Sequence, residues 1–395
     1  MFGFIAGIPR RLKHLFSKFK KYFTKPQYKN FCRTMLGLIV AGEGEHDVKS
    51  INELFIDKKN QSSLNRFITE SSWDIQAVVE EGRDLLLREA EQDPAVEYEL
   101  IDDTVCRKYS QRTEMVCYNH SSTMGTVLSH DYVSSLHVNN GVAVTDGLKL
   151  YGSERRCNEK GVEFKTRVQL ACELIRDHVS RAKRTICLWD SWFTCQDLIE
   201  ECQARGYSWV GEIKCNRIVL HEGKRIRLDG LFDLMCSEGG FHDVEMNGEL
   251  YQACKVDVYM PKIGGVSIIA DVKVGTNDVH LLCTDFGCGV GEVVGHALER
   301  HRVEDYYKDA KSLGLGEYRF RGSEAALIHA HLVSLACALL DVLRRRLLRY
   351  SVTGCLLSLE GTVEWVRRKV MHGFIHRLRE SDLSTRSLLK LIDTR

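Results

Sequence analysis

The spacing of apolar positions divides the chain into regions of different predicted structure. Near the N-terminus, Leu12, Leu15 and Phe16 recur at helical spacing with basic residues between them, which predicts an amphipathic basic helix over residues 10–23. Residues 48–74 predict two more short helices separated by a polar break. Helix pairs of this kind suit DNA contact, and many others are only structural.

From residue 97 the pattern changes to strands. Residues 96–109, 113–120 and 133–151 predict strands with Asn-Asn-Gly and Asp-Gly turns. The next elements are predicted as a helix over 164–179, a buried strand from 184 that stops at Asp190, a helix over 195–206 closed by Gly206, and a strand over 207–214. Strands followed by alternating helices and strands indicate an α/β domain with a mixed sheet.

The remaining patterns complete a predicted domain organisation. Residues 213–285 are strand-like and rich in turns, which predicts an all-β insertion, and a helical pattern dominates from residue 291 onward. The predicted regions are a helical, basic region over 1–95 suited to DNA binding, an α/β domain over 96–212 and 286–340, the β-rich insertion over 213–285, and a helical C-terminal region over 341–395 for dimerisation or DNA contact.

Charge is balanced over the whole chain and clustered locally. The 395 residues include 55 Lys and Arg against 54 Asp and Glu, so binding of a polyanion must come from local clusters. Residues 1–42 hold no acid and nine basic residues, and a second basic cluster contains Arg344, Arg345, Arg346 and Arg349. Such clusters attract phosphate backbones, and the alternative is a solubilising or membrane-surface segment.

Cysteines and hydropathy exclude several classes of protein. The 15 cysteines include no C-x-x-C pair, which predicts a reducing cytosol with neither a disulfide framework nor a zinc site. No run of 18 apolar residues is present, so no membrane span is expected.

Two aspartates of the predicted strands are candidate metal ligands. Asp190 lies at the carboxyl end of a buried strand, where open α/β sheets bind ligands. Asp103 lies in the first strand of the domain, and Asp102 is its main rival because neighbouring strand residues point to opposite faces. We prefer Asp103. The structural alternatives are an edge charge for the first acid and a helix cap for Asp190.

A third carboxylate lies in the stretch "RHRVEDYYKDAK". Arg300, Glu304 and Lys311 are separated by four and seven residues, so they share one face of a helix. A carboxylate between two cations is suited to holding a metal ion while the cations bind a DNA phosphate. Mg²⁺ prefers such oxygen ligands, and two ions can activate a nucleophile and stabilise a leaving oxygen at phosphorus.

The three motifs together resemble a known family. "IDDT", "WDSWF" and R-x3-E-x6-K are similar to the DDE transposases of bacterial and archaeal insertion sequences, in the insertion-sequence-four-like branch with the Tyr-(2)-Arg-(3)-Glu-(6)-Lys signature. The resemblance covers roughly residues 31–340. It implies an RNase H-like catalytic domain with an insertion between the second Asp and the Glu. The signature Tyr falls at Ala297, and His296, His301 or Tyr307 are candidates to replace it.

The resemblance also implies roles for individual residues. Asp103, Asp190 and Glu304 are expected to be the catalytic acids and ligands of two Mg²⁺ ions, for which Mn²⁺ can substitute. The expected DNA contacts are Arg300, Lys311, Lys214, Arg217, Lys58, Lys59 and Arg66.

The implied activity is Mg²⁺-dependent cleavage at transposon ends followed by strand transfer of the 3′-hydroxyl into target DNA. The implied partners are terminal inverted repeats, target DNA and a second copy of the chain, in the prokaryotic cytoplasm at the nucleoid and away from membranes. Two alternatives remain open: an RNase H-like nuclease or resolvase without strand transfer, and a domesticated DNA-binding regulator without catalysis.

Overall fold

The computed structural model describes residues 3–121, 123–238, 240–276, 279–284, 287, 289–349 and 355–380. The predicted boundary between residues 285 and 286 and the last part of the predicted C-terminal region, 381–395, lie outside the described residues.

Helices dominate the described residues from Arg10 to Glu89. The elements are α1 (Arg10–Ser17), a 3₁₀ turn (Lys20–Tyr22), α2 (Lys25–Val40), α3 (Val48–Glu53), α4 (Gln61–Thr69) and α5 (Ile75–Glu89). The last three begin after Asp47, Asn60 and Asp74, whose side chains accept hydrogen bonds from the first amides of each helix. The apolar positions of α1 are buried, so this helix packs into the protein through one face.

The central segment builds a mixed sheet. Its elements are β1 (Val96–Arg107), β2 (Cys117–Ser121), β3 (Gly125–Asn139), β4 (Val142–Tyr151), α6 (Glu154–Lys160), α7 (Arg167–Asp177), β5 (Arg184–Trp189), α8 (Gln196–Ala204) and β6 (Ser208–Glu212). β3 is antiparallel to β1 and pairs with both β2 and β4, while β5 is parallel to β1 and β6 is parallel to β5. The predicted end of the strand before Asp190 and the helix stop at Gly206 (φ +70°) are both observed.

One of the two predicted turns in this segment is wrong. Asn140 and Gly141 (φ +44° and +74°) form the expected turn between β3 and β4. Asp146 and Gly147, however, lie within β4. A Cβ atom at Gly147 would lie 2.4 Å from a methyl group of Leu174 on α7, so this glycine permits close helix–sheet packing rather than a turn.

The segment predicted as an all-β insertion contains a helix. Its elements are β7 (Ile218–His221), β8 (Lys224–Arg227), α9 (Leu228–Glu238), β9 (His242–Met246), β10 (Glu249–Met260), β11 (Gly264–Lys273) and β12 (Val279–Thr284). The prediction is wrong at α9, where Leu228 and Leu231 are buried at helical spacing. β12 pairs with β6, so within the described residues these strands extend the central sheet in the order β2-β3-β1-β5-β6-β12-β11-β10-β7-β8.

The C-terminal part is helical, as predicted. It comprises α10 (Val290–Leu298), a 3₁₀ turn (Glu299–His301), α11 (Arg302–Ser312), α12 (Ser323–Leu348) and α13 (Leu359–Glu380). The predicted boundary at residue 340 falls inside α12, because this helix continues without a break. Among the described residues, one helix is long and apolar enough to cross a membrane, and that helix is α12. It is mostly buried against other helices and the sheet.

Helices cover both faces of the sheet and form two cores. The first core contains Leu100 of β1 together with the N-terminal helices and α10–α13. The second contains Ile101 of β1 together with α7 and α8. Successive residues of β1 therefore point into different cores. This mixed α/β architecture is consistent with the nuclease fold that the resemblance implies.

Candidate active site

Asp102 and Asp190 lie next to each other where the parallel pairing of β1 and β5 ends, Asp102 inside the longer strand β1 and Asp190 directly after β5. Ile101 of β1 and Trp189 of β5 are partners in the strand register, and the next residue on each strand is one of these aspartates. This is the edge of an open α/β sheet at which ligands bind. Asp102 shares the face of Leu100, two residues earlier, and this is the face that carries α11.

The charges of two other carboxylates act on Asp102. Its pKa is raised to about 7, first by burial and then by the charges of Asp190 and Glu304. The backbone N–H of Asp103, which donates to Asp102 Oδ1 at 2.8 Å, and the Arg300 guanidinium act in the opposite direction. We call Asp102, Asp190 and Glu304 the acid site.

Asp190 is held in place by the turn that follows it. Its Oδ1 accepts hydrogen bonds from the backbone N–H groups of Trp192 (3.0 Å) and Phe193 (3.3 Å). The helix-cap alternative for Asp190 is therefore not observed, because Asp190 closes only this turn and α8 begins at Gln196 after Cys195. These two bonds fix the direction of the carboxylate at the strand end.

Arg300 connects Glu304 to the sheet. Its Nη2 lies 3.5 Å from Glu304 Oε1, which agrees with the predicted common helix face, and its Nε lies 2.7 Å from Glu212 Oε1 at the end of β6. Glu304 remains 61% exposed. The pattern of the sequence did not single out Glu212. Its position at the end of the strand beside β5 is the signal that would have identified it.

Asp103 does not lie with the other acids. It occupies the α7 face of β1, where its carboxylate is 3.7 Å from Arg167 Nε. Arg167 Nη2 is also 2.5 Å from Asp131, which is fully buried. Burial and then the charge of Asp131 raise the pKa of Asp103 to about 8. The strand register places Asp102, rather than the predicted Asp103, beside Asp190, so the geometry favours Asp102.

Two predicted DNA contacts lie beside the turn after Asp190. Lys214 Nζ is 5.5 Å from the ring centre of Trp192, which is 56% exposed. Arg217 Nη2 donates to the carbonyl oxygen of Thr194 at 2.9 Å. Buried Trp189 and Trp209, in contrast, stack on each other at 5.7 Å and belong to the second core. A cation and an exposed ring therefore border the acid site.

The remaining predicted basic residues lie on α11 and on the helical N-terminal region. Lys311 is exposed at the end of α11. Its charge acts on the buried thiol of Cys106 on β1: burial raises the pKa of this thiol to about 11, and the charges of Lys108 and Lys311 lower it. Lys58 and Arg66 are exposed on the helical N-terminal region. Lys59 is tied to Asn52 through its backbone and is partly buried, which lowers the pKa of its amine.

The two basic clusters of the sequence meet in space. They line a cavity of about 510 Å³, whose basic residues are Arg10, Arg11, His14, Arg346 and Arg349. Glu89 lies against it, 2.8 Å from both Arg346 and Arg349. Residues more than 300 positions apart therefore form one positively charged surface.

The candidates for the signature Tyr occupy different environments. Ala297 packs against the first core. His296 Nδ1 is 3.0 Å from the Tyr98 hydroxyl, and Tyr307 is buried, donating to the backbone carbonyl of Asp102 at 3.3 Å. His301 is the exposed one of the three, with Nδ1 4.0 Å from Glu304 Oε2.

The acid site fits a divalent metal ion by its chemistry. Its donors are carboxylate oxygens on β1, on the turn after β5 and on α11. The positive charge of Arg300 favours the ionised form of Asp102, whereas the negative charges of Asp190 and Glu304 oppose the ionisation of Asp102. A divalent cation bound there would relieve this repulsion and would take the oxygen ligands that hard ions prefer.

Two family models match the chain. The model described as DDE superfamily endonuclease matches residues 18–228, which include Asp102 and Asp190. The model described as archaeal putative transposase ISC1217 matches residues 149–352, which include Asp190 and Glu304. No curated protein matches the chain.

Proposed function

The chain belongs to the DDE superfamily of endonucleases, and on that premise we propose that it is a DNA transposase. It cleaves DNA at transposon ends and joins the freed 3′-hydroxyl to target DNA. The observation that carries the proposal is that the charges of Asp190 and Glu304 act on Asp102 at the point where the parallel pairing of β1 and β5 ends. Asp102 takes the catalytic role for which the sequence favoured Asp103.

The acid site is where the metal ions of this family would be held. We propose Asp102, Asp190 and Glu304 as ligands of two Mg²⁺ ions, with Mn²⁺ as a substitute. When bound, such ions lower the pKa of an attacking water or hydroxyl and neutralise charge on the phosphate. The chain contributes the alignment of the carboxylates, because amides of the Asp190 turn and the Arg300 ion pair fix two of them.

Basic side chains around the acid site position the DNA. We assign phosphate contacts near the cleaved bond to Arg300, Lys311, Lys214 and Arg217. Arg300 is already oriented by Glu212 and Glu304, so little side-chain freedom is lost on binding. Trp192 offers an exposed ring on which an unpaired base at the DNA end can stack.

The rest of the DNA is bound farther from the acid site. We assign terminal-repeat contacts to Lys58, Lys59 and Arg66, and further backbone contacts to the basic cavity at Arg10 and Arg346. Two copies of the chain pair the two transposon ends. The activity belongs at the nucleoid of a prokaryotic cytoplasm. The insertion-sequence-four-like branch is favoured by R-x3-E-x6-K, with His301 taking the place of the signature Tyr.

The test is an end-joining assay on the protein's own flanking DNA. A fragment that carries the DNA bordering its gene is incubated with full-length protein, Mg²⁺ and a supercoiled target plasmid. The proposal expects cleavage at the fragment ends and a covalently joined product. Cleavage without joining would show a nuclease or resolvase, and binding without cleavage would show a regulator; either result overturns strand transfer.

A further inference from the structure

A second carboxylate cluster lies on the opposite face of β1 from the acid site. Glu97 and Glu99 of β1, His137 of β3, Asp146 of β4 and His178 at the end of α7 come together there. Four of the side chains are fully buried, and Asp146 is 6% exposed. The cluster belongs to neither the acid site nor the basic surfaces.

His178 is surrounded by carboxylates in an arrangement typical of a metal-binding imidazole. Its Nδ1 lies 2.9 Å from Asp146 Oδ2 and 3.3 Å from Glu99 Oε2. Its Nε2 lies 3.2 Å from Glu97 Oε1. Ligand histidines commonly direct one nitrogen to the metal and donate the other N–H to a carboxylate, which fixes the ring. Glu97 is placed to accept that second bond.

Glu97 and Glu99 differ in their hydrogen bonding. Glu97 also accepts from the Thr185 hydroxyl at 2.8 Å and from the backbone N–H of Arg181 at 3.0 Å. Among the described residues, neither oxygen of Glu99 and neither ring nitrogen of buried His137 has a hydrogen-bond partner of good geometry, although the Ser135 hydroxyl and His178 lie close enough to favour ionised Glu99. A fully buried carboxylate without a hydrogen bond is costly unless a cation or a proton satisfies it.

The charges of the cluster balance with one divalent cation. Ionised Glu97, Glu99 and Asp146 carry three negative charges, and Arg83, which pairs with Asp146 Oδ1, supplies one positive charge. A divalent ion with neutral His178 makes the cluster neutral. Without the ion, neutrality requires two protons, one on His178 and one on a carboxyl group.

The distances and the access both suit an ion. Two ligands of a tetrahedral zinc ion are roughly 3.3 Å apart, given zinc–ligand bonds of about 2.0–2.1 Å. The separations of His178 Nδ1 from Asp146 and Glu99 lie close to this value. Asp146, Arg83 and Ser135 also line a cavity of about 480 Å³, which provides an entry path and room for a water ligand.

We propose that Glu99, Asp146 and His178 Nδ1 form a structural site for a divalent transition-metal ion, with Zn²⁺ as the best fit. One imidazole and two carboxylates favour such an ion over Mg²⁺, which prefers oxygen ligands alone. The ion joins β1, β4 and α7 beneath the strand that carries Asp102. The site uses no cysteine, so the cysteine spacing of the sequence did not reveal it.

The test measures Co²⁺ and Zn²⁺ binding to the full-length chain. All arms carry Asp102→Asn, so that the acid site competes less for the ion. In this background we expect one Co²⁺ per chain, a visible d–d absorption without a thiolate charge-transfer band, and a higher melting temperature with Zn²⁺. Adding Glu99→Gln should weaken binding by about 100-fold or more and abolish the melting shift.

Several results would overturn the site. These are a folded background protein that binds no Co²⁺, a thiolate charge-transfer band that assigns the ion to cysteines, or Glu99→Gln protein that binds as tightly as the background. If Glu99→Gln does not fold, the Co²⁺ stoichiometry and spectrum of the background protein decide. None of these readouts depends on DNA cleavage, so they are independent of the proposed transposase activity.

Discussion

Asp102 and Asp103 follow each other in the sequence, yet they lie on opposite faces of β1. Asp102 lies on the α11 face with Asp190 and Glu304, and Asp103 lies on the α7 face with Arg167. The same strand therefore supplies one acid to a candidate metal site and another to a buried ion network. The two residues have separable roles.

Tyr307 is expected to position α11 against β1. Its buried hydroxyl shares a hydrogen bond with Ser134 Oγ at 2.5 Å and donates to the Asp102 carbonyl at 3.3 Å. We expect Tyr307→Phe to lower the free energy of unfolding by about 1–3 kcal/mol. Because Glu304 lies on the same helix, kcat for DNA cleavage should fall by up to roughly 100-fold with little change in KM.

The neighbouring tyrosine is the matched control for this variant. The Tyr306 hydroxyl bonds Thr145 on β4, away from Asp102. Tyr306→Phe should therefore lower stability by a similar amount and leave the cleavage rate of the folded protein near that of the wild type. Equal kcat losses in the two variants would contradict a positioning role for Tyr307.

Arg167 is expected to be essential for stability. Its removal leaves fully buried Asp131 without its cation, so Arg167→Met should lower the free energy of unfolding by about 3–5 kcal/mol in urea denaturation. Arg155 pairs with Glu159 at 2.8 Å on the surface, and Arg155→Met should leave the denaturation midpoint unchanged. A mild effect of Arg167→Met would show that Asp131 is neutral in the folded protein.

Local patterns predicted those parts of the site that depend on neighbouring residues. The buried strand ending at Asp190 follows from its apolar run, and the common face of Arg300 and Glu304 follows from helical spacing. The choice between Asp102 and Asp103 does not, because it depends on the register of β1 against β5 and on the face that α11 covers. Both are long-range properties of the fold.

The same limit explains two other differences. Asp146 and Gly147 have the composition of a turn, yet they lie inside a strand. The packing of α7 against β4 requires the glycine, and the aspartate pairs with His178 in the buried carboxylate cluster. Glu212 is an ordinary strand-end residue in the sequence, and it gains its importance from Arg300, 88 positions later. Long-range contacts therefore determine the roles of these residues.

Lys214 is expected to contact a DNA phosphate. Lys214→Ala should reduce the magnitude of the slope of log K against log salt concentration by about 0.9, the value for one lost phosphate contact. Binding is measured by fluorescence anisotropy with a duplex oligonucleotide. Lys224, exposed on β8, is the control, and Lys224→Ala should leave the slope unchanged. Equal slopes for the Lys214 variant and the wild type would remove Lys214 from the interface.

Glu114 is expected to make stability depend on acid pH. Its hydrogen bonds with Lys160 and with the backbone N–H of Ser323, at the start of α12, lower the pKa of Glu114 from 4.5 to about 2. Because the folded-state pKa is below the unfolded one, the stabilisation is complete above pH 4.5 and disappears as the pH falls towards 2.

The Glu114→Gln variant tests this dependence. Since the Glu114 side chain is 46% exposed, the variant should lose only about 0.5–1 kcal/mol of unfolding free energy at pH 7. The difference from the wild type should shrink between pH 4.5 and 3. Glu163→Gln, at an 80% exposed site, is the control and should show no such trend. A pH-independent difference would contradict an ionic contribution from Glu114.

The most direct test compares Asp102→Asn with Asp103→Asn in Mg²⁺-dependent cleavage of the DNA that flanks the gene. The two variants make the same chemical change at adjacent positions of one strand. We expect Asp102→Asn to abolish cleavage, as Asp190→Asn and Glu304→Gln should, and folded Asp103→Asn to retain it. Loss of cleavage in Asp103→Asn with normal cleavage in Asp102→Asn would contradict the acid site described here.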